Sequence, residues 1–154
     1  MVAVDAATVA ALIRVAFAAQ SVVTDPLPSA LLVTEADLAA HLETGAGAVA
    51  EATDRLVGAA LWAEQDGGLY LSRLAVHPAW RGRGIAKALV AAAELAARSM
   101  GLPRMHLSTR LVLLDNRRLF VVCGFVETTR DTHPGYAEPT FVNMEKPLNP
   151  TETY

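Results

Sequence analysis

Arginine and glycine alternate at positions 81–84, and the stretch Arg81-Gly82-Arg83-Gly84-Ile85-Ala86 stands between an apolar run, Leu69–Val76, and an amphipathic one that begins at Ile85. A strand that ends in a Pro-marked turn (Val76-His77-Pro78), passes through a glycine loop and then starts a helix leaves backbone N–H groups uncovered at the positive end of the helix dipole. That is the chemistry of phosphate binding. Gly82 and Gly84 let the backbone approach a diphosphate with no Cβ in the way. Arg81 and Arg83 add charge, or are solvated, and Lys87 faces either a further phosphate or water. Two better-known phosphate loops are excluded. A dinucleotide fingerprint needs a third glycine where Lys87 stands, and a Walker loop needs a Gly-Lys-Ser/Thr ending that is absent.

The elements that must position this loop follow from periodicity. Ala6–Gln20 predicts a helix, and Asp25-Pro26-Leu27-Pro28 breaks it. Thr34 with Asp37 three residues later predicts a capped second helix, running to about Glu43 before Gly45. Strands are predicted at Ala46–Ala52, Leu56–Glu64 and Leu69–Val76, joined by turns at Thr53-Asp54 and Asp66-Gly67-Gly68. In the third, Leu69, Leu71 and Arg73 alternate against Tyr70, Ser72 and Leu74. The helix after the loop carries a stripe of Ile85, Ala88, Leu89, Ala92, Leu95 and Ala96, and ends at Gly101 and Pro103. Arg104–Ser108 then forms a strand parallel to Leu69–Val76 by a right-handed crossover. A short helix capped at Asp115-Asn116 and running through Val122, a strand at Phe125–Thr129, a turn at Pro134-Gly135 and a last strand at Phe141–Lys146 complete an α-α-β-β-β-α-β-α-β-β order. The fold class is α/β (α+β), with a mixed, mostly antiparallel sheet flanked by helices. One domain is expected over residues 1–148, with 149–154 a frayed tail.

The composition narrows the function classes. The chain has 154 residues and is 53% hydrophobic, with mean hydropathy +0.31. It has enough apolar surface for one well-buried core. A net charge of −3 and an isoelectric point near 5.8 argue against a nucleic-acid partner. The four histidines, His41, His77, His106 and His133, show no ligand spacing, so no metal is expected. One cysteine, Cys123, forms no internal disulfide and reads as core, which suits a cytoplasmic setting. The apolar N-terminus lacks a basic region and is interrupted by Asp5 and Arg14, and no run is long enough for a membrane span.

The loop and its element order resemble the GCN5-related N-acetyltransferase (GNAT) family, whose acyl-CoA motif R/Q-x-x-G-x-G/A is filled here by Arg81 to Ala86. The resemblance covers about Ala46 to Lys146, and the two opening helices fit the family's usual start. It implies acetyl-CoA as donor, held by Arg81, Gly82, Arg83, Gly84, Ile85, Ala86 and Lys87. It also implies a bulge at the end of the preceding strand, mapped to Leu74, Ala75 and Val76, where a backbone amide polarises the thioester. In the second half of the motif Asn116 corresponds to a pantetheine or phosphate contact, unless it only caps its helix. Arg117 and Arg118 reach coenzyme phosphates or are solvated. Phe120 stands where many members have the tyrosine that protonates the departing thiolate, and a phenyl ring has no proton to give.

On the acceptor side, an alkylammonium resembles lysine, with a pKa of about 10.4, so a base or a water chain must take a proton. Candidates are Glu64, Tyr70, Ser72, His106, His133 and Tyr136, and the last two lie together in the Thr132–Tyr136 turn. His133 and Tyr136 are the catalytic candidates retained, because loops there shape the acceptor pocket in this family. The Pro26–Ala30 loop is expected to contribute. Arg73 meets a substrate carboxylate or pairs with Glu64 across the hairpin. The resemblance implies transfer to a small-molecule or peptide amine by direct attack in a ternary complex. It also implies a homodimer paired through the late strands, with Phe141–Met144 as the edge. The alternative, motivated by Phe120, is a non-catalytic acyl-CoA sensor or interaction module. A third reading is acylation of a hydroxyl or a protein N-terminus.

Overall fold

The computed structural model describes residues 5–19, 24, 26 and 29–148. Helix α1 spans Ala6–Ala18 and α2 spans Glu35–Thr44. Strands β1 (Ala46–Ala52), β2 (Arg55–Gln65) and β3 (Gly68–Val76) follow, then α3 (Ile85–Ser99), β4 (Arg104–Arg110), α4 (Leu114–Val122), β5 (Val126–Asp131) and β6 (Phe141–Pro147). The order is the one expected from the sequence, and so is the class, a mixed sheet flanked by helices. Thr34 and Asp37 form the reciprocal cap of α2, each side chain accepting from the other's backbone N–H. The turn residues Asp66 and Gly67 both have positive φ, the conformation of a tight two-residue hairpin.

The six strands lie in the order β1-β2-β3-β4-β6-β5. All neighbours are antiparallel except β3 and β4, which run parallel. Because β6 lies between β4 and β5, Phe141–Met144 is interior, not the edge foreseen for dimer pairing; the free edge on that side is β5. Two apolar clusters cover the sheet. Leu89, Val90, Ala93 and Ala97 of α3 and Phe120 of α4 pack against Leu69, Leu71, Met105, Leu107, Val142 and Met144. On the other face α1 and Leu38 of α2 pack against Ala59, Leu61 and Ala75. The buried stripe of α3 is rotated from the predicted one: Val90, Ala93 and Ala97 are buried, whereas Leu95 is 69% exposed. Gly58 explains how α3 sits so close to the sheet, since a Cβ there would stand 2.8 Å from an Ile85 methyl carbon. Leu148 is buried and donates its N–H to Pro103 O at 2.8 Å, so the chain remains packed one residue past Pro147. The expected tail, 149–154, lies outside the described residues. No helix among the described residues is long and apolar enough to cross a membrane.

Two irregularities open the sheet. The β2–β3 register runs Leu61↔Arg73 and then Trp62↔Leu71, so Ser72 is an extra residue in β3. The bulge reverses the alternation. Leu69 and Leu71 face α3, but Ala75 faces α1. Arg73 therefore lies on the α1 face, not in phase with Leu69 and Leu71 as simple alternation predicts. The parallel strands β3 and β4 are in register only at Leu69↔Met105 and Tyr70↔His106. Beyond that point they part, leaving one edge of β3 without a strand partner.

Candidate active site

The gap between β3 and β4 is the centre of a continuous cleft. On one side a groove of about 790 Å³ is lined by Leu74, Ala75 and Val76 at the end of β3, by Arg81, Gly82, Gly84, Ile85, Ala86 and Lys87, and by Asn116 and Leu119 of α4. On the other side a cavity of about 570 Å³ is lined by Tyr70, Ser72, Arg73, Ser108, Arg110, Phe120 and His133, among others. Phe17, Leu74, Leu113, Asn116 and Leu119 line both.

The loop is built for an anion by its backbone. Gly84 is the N-cap of α3 with φ 80°, a left-handed conformation. The first intrahelical bond is Ala88 N–H to Gly84 O at 3.1 Å, so the amides of Ile85, Ala86 and Lys87 have no partner within the helix. A Cβ on Gly82 or Gly84 would meet no protein atom within 4 Å. Both glycines stand at the groove wall facing space that a ligand can take.

The two loop arginines are placed differently from the sequence expectation. Arg81 donates to Ala16 O at 2.8 Å and Ala19 O at 3.3 Å, carbonyls at the end of α1. Those carbonyls lie at the negative end of the α1 dipole, which is why the guanidinium settles there. Arg83 does not line the groove; its guanidinium lies 4.5 Å above the Trp80 ring. Lys87 lines the groove beside Arg81, whose guanidinium is engaged by the α1 carbonyls. Arg118 also lines it, 3.7 Å from the exposed Asp115 carboxylate. Arg117 turns away, donating to Glu127 at 2.7 Å and to Leu111 O at 2.8 Å.

The second half of the site is equally specific. Asn116 is not a cap: the N-cap of α4 is Leu113, without a side-chain hydrogen bond, and Asn116 lies in the first turn, where the two parts of the cleft join. Phe120 is 6% exposed and packs edge-on to Phe125 with centroids 5.8 Å apart. The bulge is at Ser72, upstream of the Leu74–Val76 segment to which it was mapped, and the Ser72 hydroxyl donates to Leu61 O at 3.3 Å.

Among the base candidates, His133 lines the cavity. Its backbone N–H donates to Thr140 Oγ1 at 3.0 Å and its Nδ1 contacts the same hydroxyl. The ring stacks edge-on to Phe141, centroids 4.9 Å apart. Burial, and secondarily the Arg110 guanidinium, hold its pKa below the ordinary histidine value. Tyr136 is exposed and does not line either part of the cleft, although its ring reaches within 6.3 Å of His133. His106 is a satisfied strand residue, bonded to Gln65 O at 2.8 Å and stacked on Tyr70 at 5.1 Å. Glu64 is exposed and pairs in register with Leu69, so it does not meet Arg73. Cys123 lines neither part of the cleft, and burial raises its pKa. Of the expected Pro26–Ala30 loop, Ser29 and Ala30 line the cavity, and Leu27 and Pro28 lie outside the described residues. Arg110 and Phe17 also line the cleft and were not foreseen: each is a single residue at the end of an element, with no motif to mark it.

The sequence pattern of the Acetyltransferase (GNAT) family matches residues 12–125. The chain belongs to this family. No curated protein matches it by sequence. Among solved structures it is similar to the PaiA N-acetyltransferase of Thermoplasma acidophilum in complex with coenzyme A, at TM-score 0.77 and 17% identity over 96% of each chain. It is similar to the ribosomal-protein-S18-alanine N-acetyltransferase of Escherichia coli, at TM-score 0.77 and 18% identity over 100% of this chain and 96% of that one. A Bacillus anthracis protein in complex with acetyl coenzyme A has TM-score 0.65 and 18% identity over 69% of this chain and 64% of that one. At these identities the likeness is one of fold.

Proposed function

We propose that this GNAT protein transfers the acetyl group of acetyl-CoA to an amine of a small molecule or peptide, within a ternary complex. The observation that carries this reading is the through-sheet continuity of the cleft. A phosphate-type helix start lies at one end and a separate cavity at the other, joined at Leu74 and Asn116. The residues fit the donor. The amides of Ile85, Ala86 and Lys87 would hold the diphosphate. The unpaired edge of β3 along Leu74, Ala75 and Val76 would accept the pantetheine arm as an added strand, and Asn116 would contact its amides. Acetyl-CoA supplies an activated thioester: a C–N bond forms, the C–S bond breaks, and the thiol is released.

His133 is positioned to take the amine's proton. In the tautomer whose Nδ1–H donates to Thr140 Oγ1, Nε2 keeps its lone pair, and the lowered pKa favours the neutral ring. An N–H at the open edge of β3 would polarise the acyl oxygen. Phe120 cannot donate to the leaving sulfur, but a thiol of pKa about 8.5 departs without a strong acid. The same phenyl group supports a second reading, an acyl-CoA sensor that transfers nothing.

Thermal unfolding with and without acetyl-CoA, with NAD and ATP as controls, tests the donor assignment. At about 100-fold excess over Kd, binding adds about 2.7 kcal/mol, a rise of roughly 5–10 °C for a domain of this size. Gly84→Asn should fold normally, since Asn tolerates left-handed φ and caps helices well. It should nonetheless lose most of that rise, because its side chain stands in the groove. A full rise in the variant refutes the phosphate assignment. Release of free thiol on adding amines separates transferase from sensor.

A further inference from the structure

The cavity on the acceptor side presents a guanidinium, that of Arg73, with neutral partners. Arg73 reaches it from β3 and Arg110 from β4, both on the α1 face, where the two strands diverge. No aspartate or glutamate is among the described residues that line it. Arg73 is held by two neutral acceptors, its own neighbour's Ser72 O at 3.1 Å and Ser29 Oγ at 2.8 Å. These bonds aim the guanidinium without cancelling its charge. Arg110 is anchored to Pro26 O and is engaged in a further interaction. The bulge at Ser72 is what brings Arg73 here. With regular alternation it would share the face of Leu69 and Leu71, in the apolar layer beneath α3.

We infer that the acceptor is an amino-acid-like molecule, a small primary amine that also bears a carboxylate, which Arg73 receives. This rests on the transferase reading above and names the substrate class of that site. A guanidinium fork matches a carboxylate in geometry and charge. The Arg73 charge, held by neutral acceptors, favours a carboxylate over a second ammonium group beside it. The cavity, about 570 Å³, is the size of a small-molecule site. The carboxylate also serves the reaction. It orients the amine and leaves the nitrogen on the side of His133, whose ring lines the same cavity.

The test is a thiol-release assay with acetyl-CoA and matched pairs of acceptors, the twenty L-amino acids against their decarboxylated amines, with spermidine as a polycation. At least one amino acid should exceed its decarboxylated partner in kcat/KM by roughly 10- to 100-fold, the worth of a charge-assisted contact. Arg73→Met should bring that ratio close to one, mainly through KM, while the acetyl-CoA thermal shift is retained. Arg73→Lys should keep part of the preference, which guards against a merely structural loss. Equal or better turnover of the decarboxylated amines or of spermidine, or no turnover of any amino acid, overturns the inference. No thiol release with any acceptor fails the transferase reading itself, whereas release with amines that lack a carboxylate but not with amino acids overturns only this inference, so the two failures are distinct.

Discussion

At the scale of single residues, the site separates what a side chain is from where the backbone sends it. His133 is a histidine in a turn, and its importance comes from its partners: a threonine hydroxyl at Nδ1, the Phe141 ring against its face, and the Arg110 charge nearby. Burial and that charge both disfavour the protonated ring. In the unfolded chain the ring titrates near 6.5, and in the fold it titrates lower. Between the two values the native state binds fewer protons than the unfolded one. The stability that this ring contributes is thus complete above about pH 6.5, and is lost as pH falls through the folded value. Proton NMR of the His133 ring should give an apparent pKa below 6.5. Arg110→Met should move it upward by part of the shift, because desolvation remains. A native value at or above 6.5 would remove the environment assigned to this ring.

At the scale of elements, the loop arginines show that a charge can serve the scaffold before it serves a ligand. Arg81 ties the end of α1 to the start of the phosphate loop through Ala16 O and Ala19 O, and so keeps Phe17 at the junction of the cleft. A second tie is made by Lys146, which pairs with Glu94 of α3 and donates to Cys123 O at 2.8 Å beyond α4. The Lys146 hydrogen bond holds the Glu94 carboxyl below its ordinary pKa. Arg81→Ala should destabilise the protein by about 1–2 kcal/mol through the lost charge-assisted bonds, lowering Tm by about 2–8 °C. The acetyl-CoA shift should shrink only modestly. Collapse of that shift at unchanged Tm would return Arg81 to the phosphates. The element order, the cap at Thr34 and the glycine loop were legible in the sequence because each depends on neighbours in the chain. The bulge at Ser72, the destination of Arg81 and the rotated stripe of α3 were not. A register slip leaves no mark on residue type, and a guanidinium carries no record of which distant carbonyl it will meet. Arg110 and Phe17 escaped for the same reason, since only the tertiary fold gives them a cavity to line.

At the scale of the whole molecule, two departures from sheet regularity underlie the function proposed here. Parallel strands with a crossover helix hold β3 and β4 together at Leu69–Tyr70, and the bulge and divergence beyond that point create a passage from one face of the sheet to the other. In the function proposed above, donor and acceptor would approach from opposite faces and be present together. No described nucleophile needs to carry the acetyl group between them: Cys123 lines neither part of the cleft, and burial keeps its thiol protonated. Initial velocities at varied donor and acceptor should give intersecting double-reciprocal lines, the pattern of a ternary complex, and not the parallel lines of a ping-pong cycle. Intact mass after incubation with acetyl-CoA alone should show no acetyl adduct, and Cys123→Ser should keep kcat within about twofold, since a half-buried thiol replaced by a hydroxyl of similar shape affects stability more than chemistry. Parallel lines with an adduct on Cys123 would mean that the acetyl group crosses the molecule covalently, and the passage through the sheet would then need another purpose.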